Sequence, residues 1–547
     1  MRDSGTTGHT VLQIYEILAL TCSHVESNQL VSLLRVSRLF FKCTSPLVWK
    51  ELHSFLPLLS VAQQDGSSYA IESGDTAVDV QNRLSLLRFN VYAPLVKILD
   101  FELGDMSGSG RPVWLLFSNL LQCFRPQAPL PNLRRLNLND SGAELQPPTL
   151  DKIMECLGAF LCPSLTGIAL PRYHGSHWLE IEDACHFQRA IMAAAPGLEF
   201  LQLPLKYSDQ PSYDAFTVFS NLVQLRQLRV LNCTGAALNP RALQLIGTLP
   251  LLESFRIQTS FSSTHGLFRN GIVFELDGLK LSDNAFPALK HVGLDAVYSS
   301  TVLSLWRAGP FVRGLTSIDI TFYSDPNLET LRHTIRFICT TSPGIEDLSL
   351  GCVITHAPLP NLAMKGVFQR LPLRCVRISF ALPFENTQGL LEILPAWTNL
   401  QYLEIPMMQV GFNALVTIAK HLPELRLLCV NLEWDDWPEN PNLSSITPSS
   451  FPLCLRGGFI LDTTFEIIEF SREGEVSEFL DVVARNLRSI WPRGVRCEDD
   501  DMFAYEGGEY FTEYMDLLQE KINAVDEPMD PKVLTGMDCK SIWRYAQ

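Results

Sequence analysis

Apolar residues recur at one fixed spacing through the middle of the chain. Leu133, Leu136 and Leu138 are separated first by two residues and then by one. Ten further segments repeat this spacing, so that the eleven copies begin at residues 133, 165, 198, 225, 252, 289, 315, 345, 373, 400 and 425. The mean period is about 29 residues. A single copy is typical of an ordinary core strand, but eleven copies predict a chain of stacked structural repeats.

The end of each copy predicts a short strand with two distinct faces. Because successive strand side chains point to opposite sides of a sheet, we expect Leu136 and Leu138 to be buried and Arg135 and Asn137 to face outward. The segments between copies, such as 411–423, carry apolar residues at helical spacing and supply the crossover that parallel strands need. The period resembles that of leucine-rich repeats. The predicted fold class is therefore α/β: a curved solenoid with a parallel concave sheet and convex helices.

Weaker copies of the motif extend this array at both ends. One of them, Val96/Leu99/Phe101, is predicted to open it, and another, Phe465/Ile468/Phe470, to close it. We assign residues 90–470 to a solenoid of about 12 irregular repeats. Residues 471–493 carry apolar positions at helical spacing and are predicted to be a C-terminal capping helix. Residues 494–547 are rich in Asp and Glu and are predicted to be a solvated acidic tail.

The N-terminal residues predict three short helices instead of a repeat. Apolar residues at helical spacing fall in segments 11–25, 29–43 and 45–59, and we expect the third helix to begin at Ser45 or Pro46. Helices this short form a core that is small for independent stability, so the unit is expected to dock on a neighbour or a partner. Residues 56–89 are assigned to the helix end and a polar linker.

These helices resemble an F-box over residues 10–55. Ile14, Glu16, Ile17 and Leu18 match the first F-box helix, residues 30–40 match its L-x-x-L-x-x-V-C-R-x-F segment, and residues 49–52 match its closing segment. The chain departs from the family at Tyr15, where a proline that helps to start the first helix is usual. An F-box followed by worn leucine repeats is similar to the large fungal set of F-box/leucine-rich-repeat proteins.

The resemblance implies a non-catalytic substrate receptor of an SCF-type cullin–RING ubiquitin ligase. Its helices would bind a Skp-type adaptor and, through it, a cullin–RING core, while the repeats would hold an unknown protein substrate near the ubiquitin-charged enzyme. The adaptor-binding residues that it implies are Leu12, Ile14, Glu16, Ile17, Leu30, Leu33, Val36 and Trp49. The alternative for this segment is a helical cap that shields the first repeat.

Outward strand positions are the candidate substrate-binding residues. We select Arg229, Arg256, His291, Asp319, Asp347, Arg377, Tyr402 and Glu404. Because neighbouring strands lie about 4.8 Å apart, we expect Arg229 to lie beside Arg256 and Asp319 to lie near Asp347. A basic patch followed by an acidic patch suits a charged or phosphorylated segment. The alternative is an ordinary solvated face.

Composition narrows the class of partner and the compartment. The formal net charge of −16 disfavours nucleic acid, which needs a basic binding face. No apolar run reaches the roughly 18 residues of a spanning helix, and Glu16 interrupts the apolar segment near the N-terminus, so we expect neither a membrane anchor nor a signal peptide. The 14 cysteines form no C-x-x-C pair, which is typical of reduced thiols in the cytoplasm or nucleus.

The sequence contains no recognised catalytic motif and no standard metal site. The glycine-rich segment 104–112 lacks the Gly-Lys-Ser/Thr ending of a phosphate loop. His174, His177, Cys185 and His186 offer donors for zinc, but their spacing matches no standard site. We therefore expect no enzyme activity, no cofactor and no metal. The rival functions are a leucine-rich-repeat scaffold or inhibitor without a ligase role, and a regulator such as a GTPase activator.

Overall fold

The described part of the protein falls into two compact units. The computed structural model describes residues 6–62, 86–102, 121, 128–139, 150–170, 181–205, 215–258, 276, 279–323, 328–352, 368–379, 387–433, 437–439, 452–456, 459–460, 473–498 and 509–524. The first unit comprises Met1–Arg269 with Ser282–Ala288, and the second comprises Asn270–Leu281 with Leu289–Gln547.

Three helices open the first unit: α1 (Thr6–Ser23), α2 (Ser27–Leu33) and α3 (Arg38–Val48). Their small core is formed by Cys22, Leu30 and Cys43. Helix α3 begins after Ser37, whose hydroxyl accepts a hydrogen bond from the Phe40 amide at 3.3 Å. This cap separates α2 from α3 within the segment that the apolar spacing predicted as one helix.

The prediction that the third helix begins at Ser45 or Pro46 is wrong. Pro46 lies inside the last turn of α3, which ends at Val48. Proline is common at the first position of a helix, and this preference misled the prediction. The residues after α3 instead form a short strand, β1 (Glu51–Leu52), which is already part of the repeat sheet.

The strands of the first unit pair in parallel in the order of the chain. They are β1, β2 (Ile98–Glu102), β3 (Arg135–Asn139), β4 (Gly167–Ala169), β5 (Phe200–Leu203), β6 (Val230–Cys233) and β7 (Ser254–Ile257). One row of side chains, in register across the sheet, is fully buried: Leu99, Leu136, Ile168, Leu201, Leu231 and Phe255. Burial of each such side chain contributes about 1.5–3 kcal/mol, so the repeated apolar positions supply the core.

Helices connect these strands. They are α4 (Leu56–Ala62), α5 (Leu86–Tyr92), α6 (Leu150–Phe160), α7 (Ile181–Ala194), α8 (Ala215–Leu222) and α9 (Pro240–Ile246). Helix α7 packs against α6 and α8, and α8 packs against α9, so neighbouring repeats contribute neighbouring helices. Short 3₁₀ turns at Ala93–Leu95 and Gly235–Leu238 complete the unit.

The predicted register is wrong in one repeat of this unit. The copy beginning at Leu225 was expected to place Leu228 and Val230 at the two inward strand positions, but Leu231 and Cys233 occupy these positions, opposite Leu201 and Leu203. Leu228 is buried as predicted, although it precedes the strand, whereas Val230 is only partly buried. Both alignments satisfy the spacing, because residues 225–233 contain overlapping copies of it. The neighbouring strand decides between them, since a shift of three residues exchanges the two faces of the strand.

The second unit repeats the same strand–helix plan. Its strands are β8 (His291–Val297), β9 (Ser317–Phe322), β10 (Asp347–Cys352), β11 (Cys375–Ser379), β12 (Tyr402–Val410), β13 (Leu427–Glu433), β14 (Leu453–Arg456), β15 (Phe459–Ile460) and β16 (Val495–Glu498). Strands β8 to β14 pair in parallel in chain order, β16 pairs with β14, and β15 pairs with β13. The predicted α/β repeat fold is confirmed.

The helices of the second unit are α10 (Ser299–Arg307), α11 (Leu328–Thr341), α12 (Thr387–Leu391), α13 (Phe412–His421), α14 (Glu473–Ile490) and α15 (Glu509–Ala524), with a 3₁₀ turn at Leu394–Ala396. Helix α10 packs against α11, α12 against α13, and α14 against α15. The predicted last repeat at 465–470 lies outside the described residues, as do the glycine-rich segment 104–112 and both His174 and His177.

The prediction of a solvated tail from residue 494 is wrong for β16 and α15. Leu518 and Ile522 of α15 are fully buried. The side chain of Gln519 accepts a hydrogen bond from the Cys497 amide at 2.6 Å, and Lys521 lies 3.0 Å from Asp481 of α14. The acidic composition concealed an amphipathic helix, because only one side of α15 needs to be apolar to pack.

Candidate binding surfaces

The N-terminal helices expose several large apolar side chains. Ile17 is 65% exposed, Leu20 is 64% exposed and Val36 is 61% exposed. Other large apolar side chains of these helices that are also exposed are Tyr15, Val31 and Leu39. The outer side of a mere cap is expected to be polar, so this surface suits an apolar partner.

Some of the predicted adaptor-binding residues lie on this surface. Glu16, Ile17 and Val36 are exposed. The structure describes the backbone of Leu12 and Ile14 within α1 but not their side chains.

The other predicted adaptor-binding residues point elsewhere. Leu30 is only 6% exposed and belongs to the helical core, so its place among the contact residues is corrected. Leu33 packs against that core. Trp49 stacks on Tyr92 of α5 with the ring centroids 4.5 Å apart. The position of Trp49 in the F-box-like pattern therefore reflects packing onto the segment that precedes β2.

The outward face of the first unit carries a chain of polar contacts across its first strands. Asn137 donates a hydrogen bond from Nδ2 to Oδ1 of Asp100 at 2.6 Å, and Arg135 donates from Nε to Oδ1 of Asn137 at 3.0 Å. The Arg135 guanidinium lies over the Phe200 ring, 5.0 Å from its centroid. Gly167, on the strand between them, has no side chain to block this stacking. Arg135 is therefore a guanidinium held in one orientation on an exposed surface.

The predicted pair of Arg229 and Arg256 does not form. Arg229 precedes β6, and its guanidinium forms an ion pair with Glu253. Arg256 lies opposite Asn232 in register. The Arg229 carbonyl accepts hydrogen bonds from the amides of Glu253 and Ser254. In the same way, the Glu199 carbonyl accepts hydrogen bonds from the amides of Arg229 and Val230. This pattern places Arg229 one residue before the outward strand positions. The corrected register of β6 removes the predicted basic patch.

The predicted charged residues of the second unit lie on its outward strand positions. His291 and Asp347 both flank Ser317 in register, whereas Asp319 lies opposite Ser349. Asp319 and Asp347 are consequently diagonal neighbours.

The next outward positions hold an ion pair between adjacent strands. Arg377 lies opposite both Ser349 and Glu404, and its Nη2 is 2.7 Å from Oε2 of Glu404. The Glu404 side chain is only 10% exposed and that of Arg377 is 33% exposed, so the carboxylate is shielded from water while the guanidinium is partly hydrated. The row that runs through Asp319, Ser349, Arg377 and Glu404 thus places one basic group among the acidic ones.

The outward face becomes apolar and closed beyond this row. Leu427, Cys429 and Cys454 lie on outward positions of β13 and β14, yet all three are buried. Tyr402, a predicted substrate-binding residue, is partly buried and packs against them. Tyr402 therefore belongs to a second small core and not to a solvated surface.

Two ionisable groups on this face have shifted pKa values. Loss of hydration and the neighbouring charge of Glu346 raise the pKa of Asp347, while Arg374 opposes the shift. Burial, and next the charge of Asp347, raise the pKa of the Cys375 thiol to about 12. Cys375 is consequently a neutral thiol at physiological pH, which does not suit a nucleophile.

A group of possible metal ligands lies where the helices join the sheet. Glu51, His53 and Asp100 place one ligand atom each within 4.8 Å of the others. Cys185 is buried in α7 while His186 beside it is exposed. Among the residues that the structure describes, no helix is long and apolar enough to cross a membrane.

No protein-family model matches the chain, and no curated protein sequence matches it. Among solved structures, the chain is similar to the complex of Rad7 and Elc1 in yeast, with 11% identity and a TM-score of 0.33 over 79% of this chain and 93% of that chain. A Bacteroides fragilis protein shows 16% identity and a TM-score of 0.27, over 53% of this chain and 72% of that chain. The TLR13–ssRNA13 complex shows 15% identity and a TM-score of 0.27, over 68% of this chain and 60% of that chain. The fold assignment rests on the strand pairing described above.

Proposed function

We infer that this chain is the non-catalytic substrate receptor of an SCF-type cullin–RING ubiquitin ligase. Helices α1 to α3 would bind a Skp-type adaptor, and outward strand residues would bind a protein substrate. The observation that carries this inference is the apolar surface of α1 to α3, in a segment that resembles an F-box. The chain itself would supply no catalytic group, because such a receptor accelerates ubiquitin transfer by proximity.

The exposed positions of the helices support a helix-packing interface. Ile17 and Leu20 lie three residues apart on α1, and Val36 lies at the turn between α2 and α3. Residues three apart are neighbours on a helix surface, so Ile17 and Leu20 form a continuous apolar area. The helical core retains Cys22, Leu30 and Cys43, so loss of the exposed residues would leave the fold intact.

The Arg135 site is the best-organised candidate for substrate contact. Its guanidinium is oriented by Asn137 and Phe200, so that binding a carboxylate or phosphate costs less side-chain entropy than at a mobile arginine. This site replaces the predicted Arg229–Arg256 pair. A segment carrying acidic or phosphorylated residues matches its chemistry.

The test is the affinity of the full chain for a Skp-type adaptor. Wild-type protein, the double variant Ile17→Asp/Val36→Asp and the control Phe216→Asp are compared by calorimetry. Phe216 is an exposed apolar residue of α8 and leaves α1 to α3 unaltered. We expect sub-micromolar binding by wild type and the control, and at least about 30-fold weaker binding by the double variant, as for two interface hot spots.

Two outcomes would contradict the proposal. Wild-type protein that is folded by circular dichroism and still fails to bind would leave α1 to α3 as a cap on a leucine-rich-repeat scaffold or inhibitor. Equal losses in the double variant and Phe216→Asp would show that the measured binding does not use the helical surface.

A further inference from the structure

We propose that Glu51, His53 and Asp100 form a binding site for a divalent transition metal, with Zn²⁺ as the best-suited ion. The site lies where β1, the strand that follows the N-terminal helices, meets β2 of the first repeat. This inference is independent of the proposed function, because it concerns how the two parts of the first unit are joined.

The three ligands lie on one face of the sheet, at neighbouring positions along β1 and β2. Glu51 pairs with Ile98, which places His53, two residues on, beside Asp100. His53 Nδ1 lies 2.9 Å from Asp100 Oδ2, and one donor atom from each of the three residues lies within 4.8 Å of the other two. Donors bound to one zinc ion lie about 3 Å apart. Glu51 and His53 are exposed, so binding would require only a rearrangement of surface side chains to reach that separation.

The donor set selects the class of ion. One imidazole nitrogen with two carboxylates suits zinc and related transition metals, with water in the remaining position. Calcium and magnesium prefer all-oxygen sites, so His53 disfavours them.

A neighbouring strand orients one of the ligands. Asn137 of β3 donates a hydrogen bond to Oδ1 of Asp100 at 2.6 Å, which leaves Oδ2 directed toward His53. Asn137 is held in turn by Arg135. Hydrogen bonds to the non-coordinating atom of a ligand are the usual way in which proteins fix metal-binding carboxylates.

The consequence of binding is a clip between the helical segment and the repeats. Strand β1 contributes only two register pairs to β2, and the Lys50 carbonyl accepts hydrogen bonds from the Lys97 and Ile98 amides at 2.8 and 2.9 Å. A metal bound by ligands on both strands stabilises this short pairing, because it binds only the paired state.

The test uses the full chain, freed of metal with a chelator and titrated with Zn²⁺. We compare wild type with His53→Ala and with His24→Ala, an exposed histidine at the end of α1 that leaves the site unaltered. Wild type and His24→Ala are expected to bind one more equivalent of Zn²⁺ than His53→Ala. Asn137→Ala is expected to weaken the site about tenfold or more, because Asp100 loses its orienting partner.

Two further readouts separate this site from the thiols and test the clip. Co²⁺ bound at Glu51, His53 and Asp100 should show no thiolate charge-transfer band, because no cysteine contributes. Zn²⁺ should slow hydrogen exchange of the Lys97 and Ile98 amides in wild type and not in His53→Ala. Identical Zn²⁺ binding by wild type and His53→Ala would overturn the site, and binding without added protection of these amides would overturn the clip.

Discussion

At the scale of single residues, two carboxylates on the outward face of the second unit, Glu404 and Asp347, have different environments. Glu404 is shielded from water and has Arg377 at 2.7 Å. Asp347 instead has a raised pKa, since desolvation and the Glu346 charge disfavour its ionised form more than Arg374 favours it. A carboxyl group whose pKa rises on folding stabilises the protein below its ordinary pKa, and that contribution is lost as the pH rises through the folded value. At neutral pH, the ionised Asp347 side chain therefore lowers the free energy of unfolding.

Asp347→Asn is expected to stabilise the protein at pH 7. The amide cannot ionise, so the unfavourable charge disappears, and because Asp347 is exposed the gain should be about 0.5 kcal/mol or less. The gain should vanish below the ordinary pKa of 3.8, where the carboxyl group is protonated in both folded and unfolded chains. Urea unfolding at pH 7 and pH 3 measures both values, and a gain that is equal at both would contradict the assigned cause.

At the scale of elements, α15 is the clearest case of a segment whose composition conceals its structure. Leu518 and Ile522 are four residues apart and both fully buried, while Glu520 between them is exposed. The helix also satisfies the Cys497 amide through Gln519. It covers the end of the second unit together with α14, which is how repeat proteins protect their terminal repeats.

Ile522→Ala is expected to destabilise the second unit by about 2–5 kcal/mol, because it leaves a cavity in a packed interface. Glu520→Ala on the exposed side of the same helix should change the free energy of unfolding by about 0.5 kcal/mol or less. Chemical denaturation monitored by circular dichroism compares the two. If Ile522→Ala costs no more than Glu520→Ala, α15 is not part of the packed unit.

At the scale of the whole molecule, buried neutral thiols are distributed through both units. Ten cysteines whose side chains the structure describes are free, and eight of these ten are buried. Burial raises the pKa of Cys339 and Cys497 to about 12, so their reactive thiolate forms are scarce. Cysteine therefore serves as a small apolar residue in these repeats.

Thiol titration tests this use of cysteine. Without reductant, the folded chain should react slowly with a thiol reagent, and the denatured chain should release at least ten reactive thiols. The contrast arises because burial and raised pKa values suppress reaction only in the folded state. Prior treatment with reductant should not change the count among these ten. If the denatured chain has fewer than ten reactive thiols without reductant, and reductant raises the number to ten or more, the protein contains disulfides. That result would contradict the expected reducing compartment.

Much of the architecture followed from local spacing, whereas the candidate surfaces did not. The helical character of the N-terminal residues and the inward row, such as Leu136, Ile168 and Leu201, were predictable because burial of regularly spaced apolar residues leaves few arrangements. The boundaries of the second and third helices were not. Arg135 was predicted to face outward, but its contacts with Asn137 and Phe200 depend on which strands are neighbours. The pattern alone could not show that these side chains meet.

The sequence by itself determined the α/β repeat, its period and the side of most strands that forms the core, because these depend on residues close together in the chain. Only the tertiary structure decided the register of β6, since two overlapping copies of the motif fit it equally well. It also decided that Leu427 is buried although it faces outward, and that Glu51, His53 and Asp100 lie together. These features depend on contacts between residues far apart in the chain, which no local spacing encodes.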